Sequence, residues 1–402
     1  MCFSLPEAFA KIPRHPFLYS HPSPIHPLPA LSTLLTRTHH HPTTNAPSIS
    51  LFAKREDQCS PLACSGNKYR KLEYIVPHIQ RGCAHQPDGT DIPDVTPTTL
   101  VTEGAVQSNH TVQVAAVATQ LGLDAVVVLH KSTGGGLAST TDAPAFLRTG
   151  NVQVDRLLGA DVRLLESDNV ADDGSDPIAP IMADLWRRGK VPYWIPSGAS
   201  LHPLGGLGYA RCAFEIAEQE EEQLGGEGRR FDYVFVACGS GSTVAGLIAG
   251  FKLLEKMEVR RTGASLGTSS RRVIGILNSP TKPREYHEGR VLQFARRAAV
   301  QIGLDAEDIT ADDVRLDDRF AGTGYGVLDP KTKETLALMA QREGVLLDPV
   351  YTAKVARGMA HWVQQGDIAR DWPSQSRDPH PINALFIHTG GQSALGAYAD
   401  VE

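Results

Sequence analysis

Two periods of apolar and polar residues alternate along most of this chain. β-Branched and apolar runs at Thr99 to Thr102, Ala125 to His130, Val162 to Glu166, Val191 to Ile195, Phe231 to Ala237, Val273 to Asn278 and Ile382 to His388 predict strands. Stretches with helical spacing predict helices over Asn109 to Leu121, Ile178 to Arg188, Leu204 to Leu224, Ser242 to Lys256, Pro283 to Ile302, Pro330 to Arg342 and Thr352 to Gln365. This alternation predicts an α/β fold with mostly parallel sheets covered by helices. Three polar, breaker-rich segments, Ala84 to Thr98, Glu258 to Arg271 and Gln365 to His380, interrupt the pattern and read as surface insertions without a direct chemical role. The first fifty residues are rich in Pro, His and Thr and show little periodicity. His39, His40 and His41 stand there, but neighbouring side chains of an extended loop point apart and no acidic or cysteine partner is near, so no metal site is read.

Length and charge narrow the classes of function. At 402 residues the chain suits about two domains. A net charge of −6 and a pI near 6.2 give no electrostatic reason to expect nucleic acid or an anionic membrane, which leaves a small soluble ligand as the expected partner. No apolar run approaches the roughly 20 residues that span a bilayer, and the N-terminus lacks the pattern of a secretory signal, so a cytoplasmic protein is expected. The six cysteines include no C-x-x-C pair, which argues against a disulfide framework and a zinc site.

Candidate chemistry gathers in three places. Residues Cys238 to Phe251 read Cys-Gly-Ser-Gly-Ser-Thr-Val-Ala-Gly-Leu-Ile-Ala-Gly-Phe, after one predicted strand and opening one predicted helix. Gly239 and Gly241 allow close backbone approach, while free N–H groups and the hydroxyls of Ser240, Ser242 and Thr243 offer donors at the positive end of the helix dipole. The turn lacks the lysine of a Walker loop and the third glycine of a dinucleotide fingerprint, so a cofactor with one small phosphate fits it better. A small-residue turn is also a common packing device. Second, Lys68 follows Ser65-Gly66-Asn67; the missing side chain at Gly66 leaves room for a carbonyl ligand, and a buried amine titrates downward toward a nucleophile able to form a Schiff base. Third, Gln107-Ser108-Asn109-His110 ends a strand and opens a helix, a corner sized for a carboxylate or a plain helix cap. An amine for an aldehyde, a cradle for a phosphate and a pocket for a carboxylate together describe pyridoxal 5'-phosphate and an amino-acid substrate.

From about Pro13 to Tyr398 the chain resembles the fold-type II (tryptophan synthase β-like) pyridoxal phosphate enzymes, in the branch of 1-aminocyclopropane-1-carboxylate deaminase and D-cysteine desulfhydrase. The resemblance is carried by Pro22-Ser23-Pro24-Ile25-His26-Pro27-Leu28, Gly66-Asn67-Lys68 with Arg70-Lys71-Leu72-Glu73-Tyr74, and Gln107-Ser108-Asn109. His202-Pro203-Leu204-Gly205-Gly206-Leu207-Gly208, the glycine turn, Tyr325-Gly326, Asp348-Pro349-Val350-Tyr351 and His388-Thr389-Gly390-Gly391 complete it. It implies two three-layer α/β domains with the cofactor in the cleft: a discontinuous large domain of residues 1–70 and 196–402, a small domain of residues 71–195 that closes over the substrate, and a homodimer. Lys68 would carry the cofactor as a Schiff base and act as a base. Ser108 would bind the substrate carboxylate and Asn109 the pyridine hydroxyl, with His110 and Thr389 at the substrate and Gly239 to Thr243 on the phosphate. Tyr325 and Tyr351 would line the substrate face, one stacking on the ring and one serving as acid, base or nucleophile.

Two positions bear on the reaction that the resemblance implies. Deaminases of the branch carry a glutamate after the tyrosine, facing the pyridine nitrogen, where this chain has Thr352, and a leucine where it has Thr389; the desulfhydrases resemble this chain at both. A hydroxyl supplies no charge to the ring nitrogen, which weakens the electron sink that opening a cyclopropane asks for. The expectation from these two residues is therefore β-elimination on D-cysteine, giving pyruvate, hydrogen sulfide and ammonia. The alternative is deamination of 1-aminocyclopropane-1-carboxylate to 2-oxobutanoate, and a non-catalytic cofactor-binding homologue is a third reading. His110 stands where the deaminases have glutamine.

Overall fold

The computed structural model describes residues 4–37, 48–130, 144–165, 177–225, 229–262, 271–372 and 381–399. Its strands are β1 (Ile25–Pro27), β2 (Ile49–Arg55), β3 (Cys83–His85), β4 (Asp91–Pro93), β5 (Thr99–Ala105), β6 (Asp124–His130), β7 (Asp161–Leu165), β8 (Pro192–Ile195), β9 (Tyr233–Cys238), β10 (Arg272–Leu277), β11 (Arg315–Asp317) and β12 (Ile382–His388). The larger sheet has the order β1-β2-β12-β9-β10-β11 and is parallel except for β1. The smaller has the order β7-β6-β5-β8 and is parallel throughout. β3 and β4 form an antiparallel hairpin.

Helices cover both faces, as parallel sheets require. Every position of β10 and β12 is buried, which is why these strands read as unbroken apolar runs. In β9 the faces separate: Tyr233 and Phe235 pack with Leu31, Met339 and Met359, while Val234 and Val236 pack with the helices Leu207–Leu224 and Ser242–Thr262. On the smaller sheet Leu100, Tyr193 and Ile195 meet the helices Asn109–Leu121 and Asn67–Gln80, and Val101, Val126 and Trp194 meet Ile181, Met182 and Leu185 on the other side.

A buried ionic network anchors the Asn67–Gln80 helix to the large sheet. Arg70 Nη2 donates to Glu56 Oε1 at 2.9 Å and its Nη1 to Glu215 Oε2 at 2.9 Å, while Lys54 Nζ donates to the Ser23 carbonyl at 2.8 Å. Arg70, Glu56 and Lys54 are all buried.

The elements expected from periodicity are present, with shifted ends and several additions. The Ser242 helix runs past Lys256 to Thr262, because no breaker stands before Gly263. The proline-rich start holds a helix, Pro29–Arg37, and leads into β2, whose buried Lys54 disguises the strand pattern. The Asn67–Gln80 helix was hidden for a related reason: Arg70, Lys71 and Glu73 are buried, so charge does not mark its solvent face. The segment Ala84 to Thr98 is not only surface, since it forms β3 and β4 and buries His85 against His202, with ring centroids 4.9 Å apart. The other two insertions contribute the end of the Ser242 helix and a short helix Asp367–Asp371, and their remaining residues 263–270 and 373–380, like His39 to His41, lie outside the described residues. Among the described residues no helix is long and apolar enough to cross a membrane.

Candidate active site

A cavity of about 600 Å³ opens at the C-terminal ends of β5, β6, β9 and β10, between the two sheets. Parallel sheets place ligands at this end, where strand termini and helix starts converge. The structure brings Lys68, Ser108, Asn109, His110, Gly239, Ser240, Gly241, Thr243, Tyr325, Tyr351 and Thr389 to its walls. Ser242 and Thr352 are not among the residues lining it.

Lys68 stands in the first turn of the Asn67–Gln80 helix. Its backbone N–H is held by Gln113 Oε1 at 2.9 Å, and its Nζ donates to Asn67 Oδ1 at 2.9 Å. Burial lowers the amine to about 8, against the opposing pull of the Asp348 carboxylate. A fraction of free amine therefore exists near neutral pH, as a carbonyl-trapping lysine needs. Gly66 serves a purpose other than the expected one. A side chain there would come within 2.7 Å of Gln113 Nε2 and of the Thr389 carbonyl, so the glycine admits protein, not ligand. Thr389 thereby braces the turn, and its carbonyl accepts from the Asn67 N–H at 3.2 Å.

The glycine turn has the expected strand–turn–helix geometry between Cys238 and Ser242. Gly241 takes φ +98°, a conformation that favours glycine, and a side chain there would meet Val291 and Phe294. Thr243 Oγ1 accepts from Asn67 Nδ2 at 3.2 Å, which links the turn to the lysine. Ser242 turns away, donating to the Gly198 carbonyl at 3.2 Å and accepting from Lys71 Nζ at 2.9 Å. Lys71 has no role that the sequence alone assigns. It lies one helical turn after Lys68 and on the same cavity wall, and that i, i+3 spacing was the available signal. Burial and the like charge of Lys68 push its amine well below the ordinary value.

The carboxylate corner is a cap and a cavity wall at once. Ser108 caps the Asn109–Leu121 helix by accepting from the His110 N–H at 3.2 Å. The preceding Gln107 takes φ +69° and is held by hydrogen bonds from its Nε2 to the carbonyls of Phe146 and Thr149. Asn109 Oδ1 accepts from Asn151 Nδ2 at 2.6 Å. The ring of the buried His110 lies by the backbone of Ile195 and Pro196, but among the described residues neither nitrogen makes a hydrogen bond of regular geometry. Burial, then the charges of Lys68 and Lys71, hold His110 far below the usual histidine range, so its imidazole is neutral. Beyond this corner Glu103 and His130 form a pair at 2.9 Å on the cavity wall, which no sequence motif indicated.

On the opposite wall the Tyr325 and Tyr351 hydroxyls hydrogen-bond each other, with ring centroids 5.9 Å apart at 73°. Burial raises both phenols, so both are protonated. Asp348 builds this wall: its carboxylate accepts from the N–H groups of Val350 at 2.9 Å, Tyr351 at 2.8 Å and Thr352 at 2.8 Å. It also accepts from the Thr352 hydroxyl at 2.7 Å. Thr352 thus spends its hydroxyl on Asp348 and does not face the cavity.

A model of the pyridoxal-phosphate dependent enzymes matches residues 18–374. The chain belongs to that family. It is 40% identical over 390 residues to a 1-aminocyclopropane-1-carboxylate deaminase of Ralstonia nicotianae, covering 97% of each chain. It is 39% identical over 392 residues to an enzyme of the same name from Pseudomonas syringae pv. tomato, again covering 97% of each. Among solved structures, an ACC deaminase homologue is similar with a TM-score of 0.69 and 28% identity, over 98% of this chain and 96% of that one. The fold is accordingly that of the fold-type II members, and the cofactor is pyridoxal phosphate.

The chemistry of the cavity walls fits this family's cofactor. An amine lowered by burial, a turn of two glycines opening a long helix, and the buried Lys71 amine beside that turn, which an arriving anion favours in its protonated form, match an aldehyde and a phosphate.

Proposed function

We propose that the protein deaminates 1-aminocyclopropane-1-carboxylate to 2-oxobutanoate and ammonia. The observation carrying this reading is its 40% and 39% sequence identity, over 97% of both chains, to two enzymes of that name. It replaces D-cysteine as the first substrate to test, which Thr352 and Thr389 had favoured.

In this reading Lys68 would hold the cofactor's aldehyde carbon, Lys71 and the turn of residues 239–243 its phosphate, Ser242 through its backbone only, and Asn109 its ring hydroxyl. Bound there, the cofactor supplies an electron sink for bonds at the substrate α-carbon. The residues do the rest. The Ser108 turn takes the substrate carboxylate on its hydroxyl and the free N–H groups at the helix start. The Lys68 amine would move a proton at the substrate. Tyr325 and Tyr351, protonated and mutually hydrogen-bonded, hold a proton at the cavity wall, where either hydroxyl can deliver it while the other stabilises the oxygen left behind. Neutral His110 offers a hydrogen bond without adding positive charge beside two lysines.

β-Elimination on D-cysteine is the second reading, favoured by one observation. The Thr352 hydroxyl is tied to Asp348 and brings no carboxylate to the cavity. Purified holoenzyme assayed side by side with 1-aminocyclopropane-1-carboxylate, D-cysteine and L-cysteine decides between them. 2-Oxobutanoate from the first supports the deaminase; sulfide from D-cysteine with no 2-oxobutanoate transfers the function to the second reading. A protein that turns over none of them, yet is yellow and bleached by borohydride, is the non-catalytic binder.

The reading includes a small body of residues 71–195 closing on a large one of residues 1–70 and 196–402, in a homodimer. Solution scattering with and without substrate tests closure, and sedimentation tests the dimer.

A further inference from the structure

Behind the carboxylate corner lies a buried acid that pairs with no cation among the described residues. Asp155 is completely buried on the short helix Asn151–Leu157. Among the described residues its Oδ1 has no hydrogen-bond partner, and its Oδ2 stands 3.1 Å from Thr111 Oγ1. The same Thr111 hydroxyl stands 3.0 Å from the Ser108 carbonyl. A hydroxyl carries one proton. With a carboxylate at 155, that single proton would serve two acceptors and the anion would be buried with at most one donor. With a carboxylic acid at 155, the chain closes: Asp155 donates to Thr111, and Thr111 donates to the Ser108 carbonyl.

The surroundings agree with the neutral form. Two titratable or charged groups act on the Asp155 carboxyl, the exposed Arg156 next in the chain and the Cys64 thiol, and neither forms an ion pair with it among the described residues. Burial raises the carboxyl to about 7, against the weaker pull of the Thr111 hydrogen bond and of Arg156. Asn151, one helical turn earlier on the same face, grips Asn109 at 2.6 Å. The Asn151–Leu157 helix thus holds residues 109 and 111 through two side chains spaced i, i+4, on either side of the helix start that carries Ser108.

We propose that Asp155 is a positioning residue kept as a neutral carboxylic acid, whose proton, relayed through Thr111, fixes the Ser108 turn and keeps negative charge away from the substrate's carboxylate. The substrate half of this statement rests on the function proposed above; the protonation half does not. Ionisation of Asp155 breaks the relay and places an uncompensated anion behind a site that binds an anion. Substrate affinity then falls as pH rises through neutrality, while the chemical step at Lys68 is not directly touched.

The test uses holoenzyme, wild type and the variants D155N and D155L, with two readouts. In protein labelled with [γ-13C]aspartate, the carboxyl signal missing from D155N is expected to titrate near neutral pH; a titration below about pH 5, in the range of ordinary aspartates, overturns the proposal whatever the substrate is. For whichever amino acid is turned over, KM of the wild type is expected to rise at least about threefold more than that of D155N between about pH 6.5 and pH 8.5, with similar kcat trends. D155N keeps a neutral donor and rescues the corner, whereas D155L raises KM at both pH values. Equal KM profiles in wild type and D155N overturn the proposal too.

Discussion

The Thr352 hydroxyl donates to Asp348 Oδ1 at 2.7 Å and accepts from the Asp348 N–H at 2.7 Å. This reciprocal pair fixes the start of the Thr352–Gln364 helix and with it Tyr351. T352V removes both bonds and leaves buried Asp348 short of a donor, a loss on the order of 1–3 kcal/mol. The expected outcome is a lower Tm together with a lower kcat, because Tyr351 loses its brace. The double variant T352E/T389L tests whether these two positions set the reaction. Its ratio of 2-oxobutanoate formed from 1-aminocyclopropane-1-carboxylate to sulfide formed from D-cysteine is expected to rise above that of the wild type, and an unchanged ratio removes the two residues from the argument.

Lys68 titrates at about 8 in the cavity, below its ordinary 10.5. The unfolded chain therefore binds the extra proton between those values, so this group makes stability rise with pH across that window. Only the free amine captures an aldehyde. Uptake of pyridoxal phosphate by the apoprotein, followed by absorbance, is expected to accelerate as pH rises through about 8 and then level off. K68A is expected to lose borohydride-fixed cofactor and ~10³-fold or more in turnover. Undiminished turnover by K68A removes the lysine from the reaction.

The Lys71 amine meets Ser242 and the Gly198 carbonyl, and no carboxylate pairs with it among the described residues. A buried cation beside an anion-binding turn is stabilised when the anion arrives. K71M is expected to weaken pyridoxal phosphate binding about 10- to 100-fold, the equivalent of one charge-assisted hydrogen bond, and to weaken pyridoxal without its phosphate far less. Equilibrium titration with both compounds checks the difference.

The parts of the site that were legible in the chain are those made by neighbouring residues. The Gly239–Thr243 turn, Lys68 after its Gly-Asn pair, and the Ser108 cap are each local strand-to-helix or turn-to-helix signals, and the structure brings all three to one cavity. What stayed hidden depends on contacts between distant segments. Lys71 is a buried amine whose partners, Gly198 and Ser242, are set by tertiary packing, and Glu103 meets His130 only because β5 and β6 are neighbours. Gly66 is shaped by Gln113 and Thr389, far away in the chain. Thr352 shows a different limit. It follows Tyr351 directly, but a helix turns by about 100° per residue, so a cavity-facing tyrosine at the helix start sends its neighbour's side chain elsewhere. The parallel sheets were legible because their buried strands are continuous apolar runs; β2 and the Asn67–Gln80 helix were not, because the ionic network places charges in the core.

That network sets the acid limit of the fold. Glu215 and Glu56 are both held below the ordinary 4.5: burial alone would raise them, and the charges of Arg70 and Lys54 overcome it. Carboxyls with depressed folded values contribute stability that is complete above the unfolded value and is lost as pH falls. Thermal unfolding is therefore expected to shift downward below about pH 4.5, in a manner that E215Q blunts. R70M removes the cation and strands Glu56 and Glu215, a change on the order of 3–5 kcal/mol. Because Arg70 and Lys68 stand on one helix turn, R70M is also expected to lower cofactor occupancy, read as absorbance per mole of protein at neutral pH. A R70M protein with unchanged Tm and full occupancy contradicts the view that these buried charges position the lysine.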